Sequence, residues 1–300
     1  MRFITFVGLQ GVATAGMLLD NSEQAVDLSH PACKALMGDT PATVQALLEQ
    51  GIGHWVQRLG EATIDTDALR LLCDIELLAP LPRPGKIVGA AFNFTDALAE
   101  RDMAHPSEPV TFVRSGCTVI GPGAPIYLPP DVGNIGYEAE LAVVMGRRAL
   151  RVSREQAMHY VAGYTLHNDV SGSDLVKRDG GNFVRGKNMP ATAPLGPWLL
   201  TADALPDPYA VGLKLDIDGR LLQNGSTANL LFNIADLISW ISHRMPLEPG
   251  DVIATGTPAG VAAMHKPAAW LTAGTTVSIE AHLLGRLVNP IQTGVPFLEH

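Results

Sequence analysis

The run Gly136-Tyr137-Glu138-Ala139-Glu140-Leu141-Ala142-Val143-Val144 sets two glutamates into an otherwise apolar, β-branched segment, and that conflict constrains the fold most. In a strand, successive side chains alternate between faces. Glu138 and Glu140 then share one side, while Ala139, Leu141 and Val143 take the other. A second apolar run, Tyr164-Thr165-Leu166-His167-Asn168-Asp169-Val170-Ser171, adds Asp169. An unpaired carboxylate on an interior strand is costly, so the pattern predicts a cation between the three acids. Oxygen donors with no partnering Cys point to a hard divalent metal, Mg²⁺, Mn²⁺ or Ca²⁺, rather than to zinc. Glu-x-Glu alternation also describes the charged face of an ordinary edge strand, so spacing alone leaves both readings open.

With 300 residues and 47% hydrophobic composition, the chain can bury a large core, and one large domain with a smaller appendage is expected. A formal net charge of -9 argues against a nucleic-acid partner, which needs clustered Lys and Arg. The three cysteines, Cys33, Cys73 and Cys117, are odd in number and widely spaced, which fits a reducing cytoplasm better than a disulfide framework. No uncharged apolar stretch reaches the ~18 residues of a membrane span, so no membrane partner is expected. Residues 1–15 have some features of a secretory signal, but Gly8, Gln10 and Gly11 interrupt the apolar region. A hairpin of Phe3–Val7 with Val12–Leu19 explains the pattern better.

Farther along, Thr40–Leu59 reads as helical with interruptions at Gly51 and Gly53. Pro80-Leu81-Pro82-Arg83-Pro84-Gly85 cannot hold a regular helix or an inner strand, and this places a domain boundary between 1–79 and 80–300. Lys86–Ala91 reads as a strand, Asn93–Glu100 as a short helix, and Ser153 to Gln156 as a capping box opening a helix to about Tyr160. Ser171–Gly181 is polar and Gly-rich and reads as a loop, after which Asn182–Lys187 brings basic residues back. Leu213–Ile217 and Arg220–Gln223 form a hairpin over Asp218-Gly219, and Leu230, Leu231, Ile234, Leu237, Ile238 and Ile241 follow helical spacing. After the strand Asp251–Ala254, the Gly-rich turn Thr255–Gly260 offers backbone and hydroxyl donors suited to a carboxylate. Gly256 and Thr257, with Gln223 on the hairpin, are the substrate-binding candidates; the turn lacks the Lys and spacing of a P-loop.

Four ordered blocks, Tyr137–Val144, Ala162–Ser171, Arg185-Gly186-Lys187 with Pro194-Leu195-Gly196-Pro197, and Leu247–Val261, resemble the fumarylacetoacetate hydrolase family over roughly residues 83 to 290. The resemblance implies an α+β, mostly β fold, in which a mixed β-roll catalytic domain follows a small N-terminal α+β domain. It also implies a homodimer, a divalent metal on Glu138, Glu140 and Asp169, and a small 2-oxo acid or 1,3-diketone as substrate. Hydrolytic C–C cleavage is the family-typical reaction. Lys187 would steady the charge that develops on the substrate oxygen. Arg114 stands where the family carries a substrate-facing Lys, so it joins the substrate-binding candidates.

Two departures bear on the reaction. Hydrolytic relatives carry Asn-Tyr-x-x-His-x-x-Glu on a lid; here the run is Asn93 to Glu100, with Ala97 at the His position. Glu100 remains as a candidate base, and His105 or His167 could replace the missing histidine. The family's Arg after Asn-Asp-Val-Ser-Ala is Ser173. Decarboxylation, hydration or isomerisation therefore stands beside hydrolysis as an expectation, and a catalytically degenerate binding protein is the reading from another class.

Overall fold

A computed structural model of the protein describes residues 1–20 and 23–296. Its frame is a twelve-stranded sheet whose main path runs, neighbour to neighbour, Leu69–Leu71, Gln24–Asp27, Ala13–Leu18, Arg2–Val7, Ala193–Thr201, Val161–Asn168, Ala139–Met145, Val252–Ala254, Lys86–Ala91 and Val110–Ser115. A five-stranded sheet, Arg220–Ser226, Gly212–Ile217, Thr276–Ala281, Gly285–Thr293 and Ile126–Leu128, packs beside it. The fold is α+β and mostly β, as the sequence implies.

Alternation along Ala139–Met145 explains why this strand lies at the centre. Leu141, Val143 and Met145 join the larger core, shared with Leu213, Leu215, Ile279 and Ile238, whereas Ala142 and Val144 join a second core with Phe3, Leu47, Trp55 and Leu195. Every residue of the strand is buried, so it reads as apolar on both faces. Only Glu140 breaks that rule, and it does so at the end of the ladder.

The opening hairpin forms as the alternation predicts, Arg2–Val7 pairing with Ala13–Leu18 across a short 3₁₀ turn. Its first strand also pairs with Ala193–Thr201, so one sheet runs through both sides of the proline-rich stretch. The helical stretch in residues 40–59 divides into Val44–Glu49 and Ile52–Gly60, broken at Gly51, whose φ of 97° lies where glycine is favoured. Gly53 is inside the second helix and does not interrupt it.

Three local readings need correction. Ser171–Gly181 is not a loop throughout: Ser173–Arg178 is a helix, anchored by Arg178 donating to the Val132 carbonyl at 3.0 Å and by Asp174 accepting from the Asn134 amide at 2.9 Å. Polar composition hid it, because its partners are backbone groups remote in sequence. Ser153 precedes a one-turn helix, Arg154–Ala157, but its side chain caps no backbone amide. A capping box does form at Asn233 and Asp236, opening the helix Ile234–Ser242, which leaves Leu230 and Leu231 ahead of it.

Close approach of backbone makes Gly163 hard to replace. A Cβ on Gly163 would lie 2.1 Å from the Leu200 carbonyl oxygen of the neighbouring strand, whereas one on Gly212 would meet nothing within 4 Å. Gly163→Ala should lower the unfolding free energy by about 1–3 kcal/mol, the usual cost of overpacking, while Gly212→Ala should be close to neutral in the same urea titration.

Candidate active site

Glu138, Glu140 and Asp169 come together where two strands end. Ala139 pairs with Asn168 and Glu140 with His167, and one step farther the Asp169 amide donates to the Glu138 carbonyl at 2.9 Å. Opposed residues of an antiparallel pair point to the same face, so the register itself aims the acids at one another. Ligand oxygens from the three lie within 4.8 Å of one another. The helix Phe183–Lys187, opened by Asn182 accepting from the Val184 amide at 2.9 Å, brings Lys187 to this point.

Lys187 Nζ donates to Asp169 Oδ2 at 2.5 Å and to Glu138 Oε2 at 2.8 Å. Burial favours the neutral amine, but the two carboxylates outweigh it and raise the lysine pKa, so Lys187 stays an ammonium. Burial alone would push the Asp169 carboxyl up; Lys187 and Arg114 together hold it well below the usual carboxylate range. Glu138 is raised by burial, with partial relief from Lys187. Glu140 is raised furthest above the ordinary value, by burial first and then by the charges of Asp169 and Glu138.

Glu140 supplies the test of a metal. It is 2% exposed, and its recorded hydrogen bond is the one accepted from the Gly256 amide at 3.0 Å. No salt bridge to it is present among the described residues. A buried, ionisable oxygen ligand beside two more, without a cation of its own, fits a hard divalent metal.

Other candidates are distributed differently. Gly256 and Thr257 line the cleft with Phe92, Ala97, Arg101, Phe112, Phe183 and Lys187. Gln223 does not: its Oε1 accepts from the Ala139 amide at 2.9 Å, and its Nε2 donates to Thr257 Oγ1 and the Pro258 carbonyl, each at 2.9 Å. It ties the Thr257 turn to the start of the strand Ala139–Met145. Arg114 likewise needs correcting. Its guanidinium is fully buried behind Asp169, to which it is paired, and it donates to the Thr192 carbonyl at 2.7 Å and hydroxyl at 3.0 Å.

None of the three expected bases lines the cleft. Glu100 is exposed at the end of the helix Thr95–Glu100, where its Oε2 accepts from the Gly260 amide at 2.9 Å. His105 is exposed beyond that helix. His167 is fully buried, with Nδ1 at 2.8 Å from the Pro194 carbonyl; a carbonyl only accepts, so Nδ1 carries the proton. Burial pushes its imidazole down to about 4, leaving a neutral ring wedged 3.9 Å behind Asp169.

The residues that sequence reasoning missed are Arg101 and the aromatic wall. The Phe112 and Phe183 rings stack at 4.8 Å between centroids, and Lys187 Nζ lies 5.2 Å from the Phe112 ring. Phe92, with φ of 59°, turns the chain from the strand Lys86–Ala91 toward the Ala97 helix; only the strain of a bulky residue in that region marks it, and strain is invisible in sequence. A roomier cleft, bordered by Met1, Trp198 and Arg286, lies elsewhere and brings no such group of acids together among the described residues.

Known proteins resemble this chain over most of its length. Residues 86–292 match the family model for the fumarylacetoacetate (FAA) hydrolase C-terminal region. The chain is 34% identical over 277 residues to a mitochondrial oxaloacetate tautomerase of Xenopus laevis, covering 92% of this chain and 85% of that one. It is similar to the structure of 5-carboxymethyl-2-hydroxymuconate delta-isomerase from Mycobacterium smegmatis, with 30% identity, a TM-score of 0.76 and 98% and 100% of the two chains covered. A maleylpyruvate hydrolase from Sphingobium sp. SYK-6, in complex with manganese(II) ion and pyruvate, is 26% identical with a TM-score of 0.77, again over 98% and 100% of the chains.

The acids generate a direct test. Asp169→Ala should weaken Mn²⁺ binding in calorimetry by more than roughly a hundredfold, the upper end of what losing a supporting partner costs. Binding equal to that of the wild type would remove Asp169 from the ligand set.

Proposed function

The chain belongs to the fumarylacetoacetate hydrolase family, and on that premise we propose that it is a metal-dependent tautomerase of small 2-oxo acids. The observation that carries this reading is the cleft's lining: among the described residues it holds a lysine, an arginine and three carboxylates but no histidine, and Glu100 is turned away to Gly260. Hydrolysis requires a positioned base to activate water, a contribution of roughly a hundred- to ten-thousandfold. Keto–enol exchange needs a proton taken from C3 and one given to the 2-oxo oxygen, but no water held for attack on carbon.

Glu138, Glu140 and Asp169 would hold a divalent cation, Mg²⁺ being the expected ion with Mn²⁺ and Ca²⁺ as alternatives; when bound it supplies a Lewis acid that polarises the 2-oxo carbonyl. The chain's own groups do the rest. Lys187, kept as an ammonium, presents Nζ to the 2-oxo oxygen and gives it a proton as the C3–H electron pair becomes a C=C bond. The C3 proton leaves to solvent, and solvent restores the proton on Lys187. Gly256 and Thr257 border the place of the substrate's 1-carboxylate, the Gly256 amide being given to Glu140 and the Thr257 hydroxyl to the Ala139 carbonyl, and Phe92, Phe112 and Phe183 form the apolar wall beside the reacting carbons.

Support for exchange rather than cleavage comes from the tautomerase relative, aligned over most of both chains. C–C hydrolysis is the second reading, favoured by the likeness to maleylpyruvate hydrolase. The two separate on one substrate panel. With Mn²⁺, the wild type should accelerate loss of the enol absorbance of oxaloacetate without forming pyruvate, and should cleave acylpyruvates poorly. Ala97→His should raise acylpyruvate cleavage by up to roughly a hundredfold if the lid then works as in hydrolytic relatives. Efficient release of pyruvate from acylpyruvates by the wild type would establish hydrolysis instead.

The homodimer remains a proposal supported by family likeness. Sedimentation at micromolar concentration should show no dominant monomer; a monomer there removes the dimer without touching the chemistry.

A further inference from the structure

We propose that Arg101 recognises a second carboxylate on the substrate, so that the cleft selects 2-oxo diacids over 2-oxo monoacids. The inference deepens the 2-oxo acid reading and rests on it. Arg101 immediately follows Glu100 and ends the same helix, yet the two side chains part company: Glu100 meets the Gly260 amide, while Arg101 lines the cleft with Lys187 and Glu138.

The other cations at this place are already engaged. Arg114 holds Asp169 and the Thr192 carbonyl, and Lys187 bridges Asp169 and Glu138. Arg101 is half-buried and its guanidinium makes no side-chain hydrogen bond or ion pair among the described residues, although its charge is felt by Glu138. Leu98, Phe92 and Phe112 share the wall with it, and apolar surroundings strengthen a charge pair relative to water.

Charge counting points the same way. Three carboxylates face Lys187 and Arg114, leaving one negative charge uncompensated. A divalent cation would overshoot that remainder by one, which the 1-carboxylate of a 2-oxo acid balances. Arg101 adds one further positive charge, and a second carboxylate on the same small molecule balances it. The planar guanidinium can take a carboxylate with two parallel hydrogen bonds, a geometry an ammonium does not offer.

A matched pair of inert ligands tests this. N-oxalylglycine and N-ethyloxamate share a planar 2-oxo acid head and differ only in a terminal carboxylate against a methyl. Calorimetry on the Mn²⁺-loaded wild type should show N-oxalylglycine binding at least about tenfold more tightly. Arg101→Met should collapse that ratio to near one, and Arg101→Lys should restore part of it; because the ratio compares two ligands on one protein, general loss of site integrity does not produce the pattern. No preference in the wild type, no binding of N-oxalylglycine, or a preference that survives Arg101→Met would overturn the proposal. An intact preference in a protein that does not exchange keto and enol oxaloacetate would sink the tautomerase reading and leave the role of Arg101 standing.

Discussion

Asp169 is buried between two cations, Lys187 in front and Arg114 behind, and the active centre is organised around that arrangement. Removing one partner from a buried pair leaves an uncompensated charge, typically a loss of about 3–5 kcal/mol, so the three groups act as a unit. They also join three distant parts of the chain: the end of a central strand, the short helix Phe183–Lys187 and the edge strand Val110–Ser115. Glu138 and Glu140 gain their geometry from the same ladder. What differs is compensation, since Lys187 reaches Glu138 and no salt bridge reaches Glu140 among the described residues.

The acids were legible in the sequence because strand periodicity is short and rigid: two glutamates two apart in an apolar run leave few arrangements. Lys187 was legible through its Arg-Gly-Lys setting, and the central strands through their β-branched runs. Arg114 and Gln223 were assigned to the cleft wrongly for one physical reason. A residue type says what a side chain can bind, but long side chains reach several ångströms in directions set by packing. Both face protein groups whose neighbourhood is created only when remote strands assemble. The Ser173–Arg178 helix escaped notice similarly, being anchored by backbone partners some forty residues away.

At the cleft, the helix Thr95–Glu100 presents Ala97 while its last carboxylate is directed elsewhere. Ala97 contributes only a methyl to the cleft, and Glu100, one helical turn on, makes a structural hydrogen bond with the Gly260 amide. The residue after it brings the positive charge that faces the cleft. On the proposed reading, such a site polarises a carbonyl and stabilises negative oxygen without a ready means of activating water.

The large sheet carries a consequence for how the chain can be divided. Phe3, Leu47 and Trp55, from before the proline-rich stretch, pack in one cluster with Ala142, Val144, Leu195, Leu199, Val252 and Ala254, which lie on the strands that carry or neighbour the site. Cutting the chain at residue 80 would strip the cover from that face and unpair Leu199 and Leu200 from the first strand. The freed part would then expose an apolar sheet surface with an open edge, the combination that drives self-association. In that respect the first quarter of the chain is the cover of the remainder, lying over a sheet face that would otherwise be open to other copies.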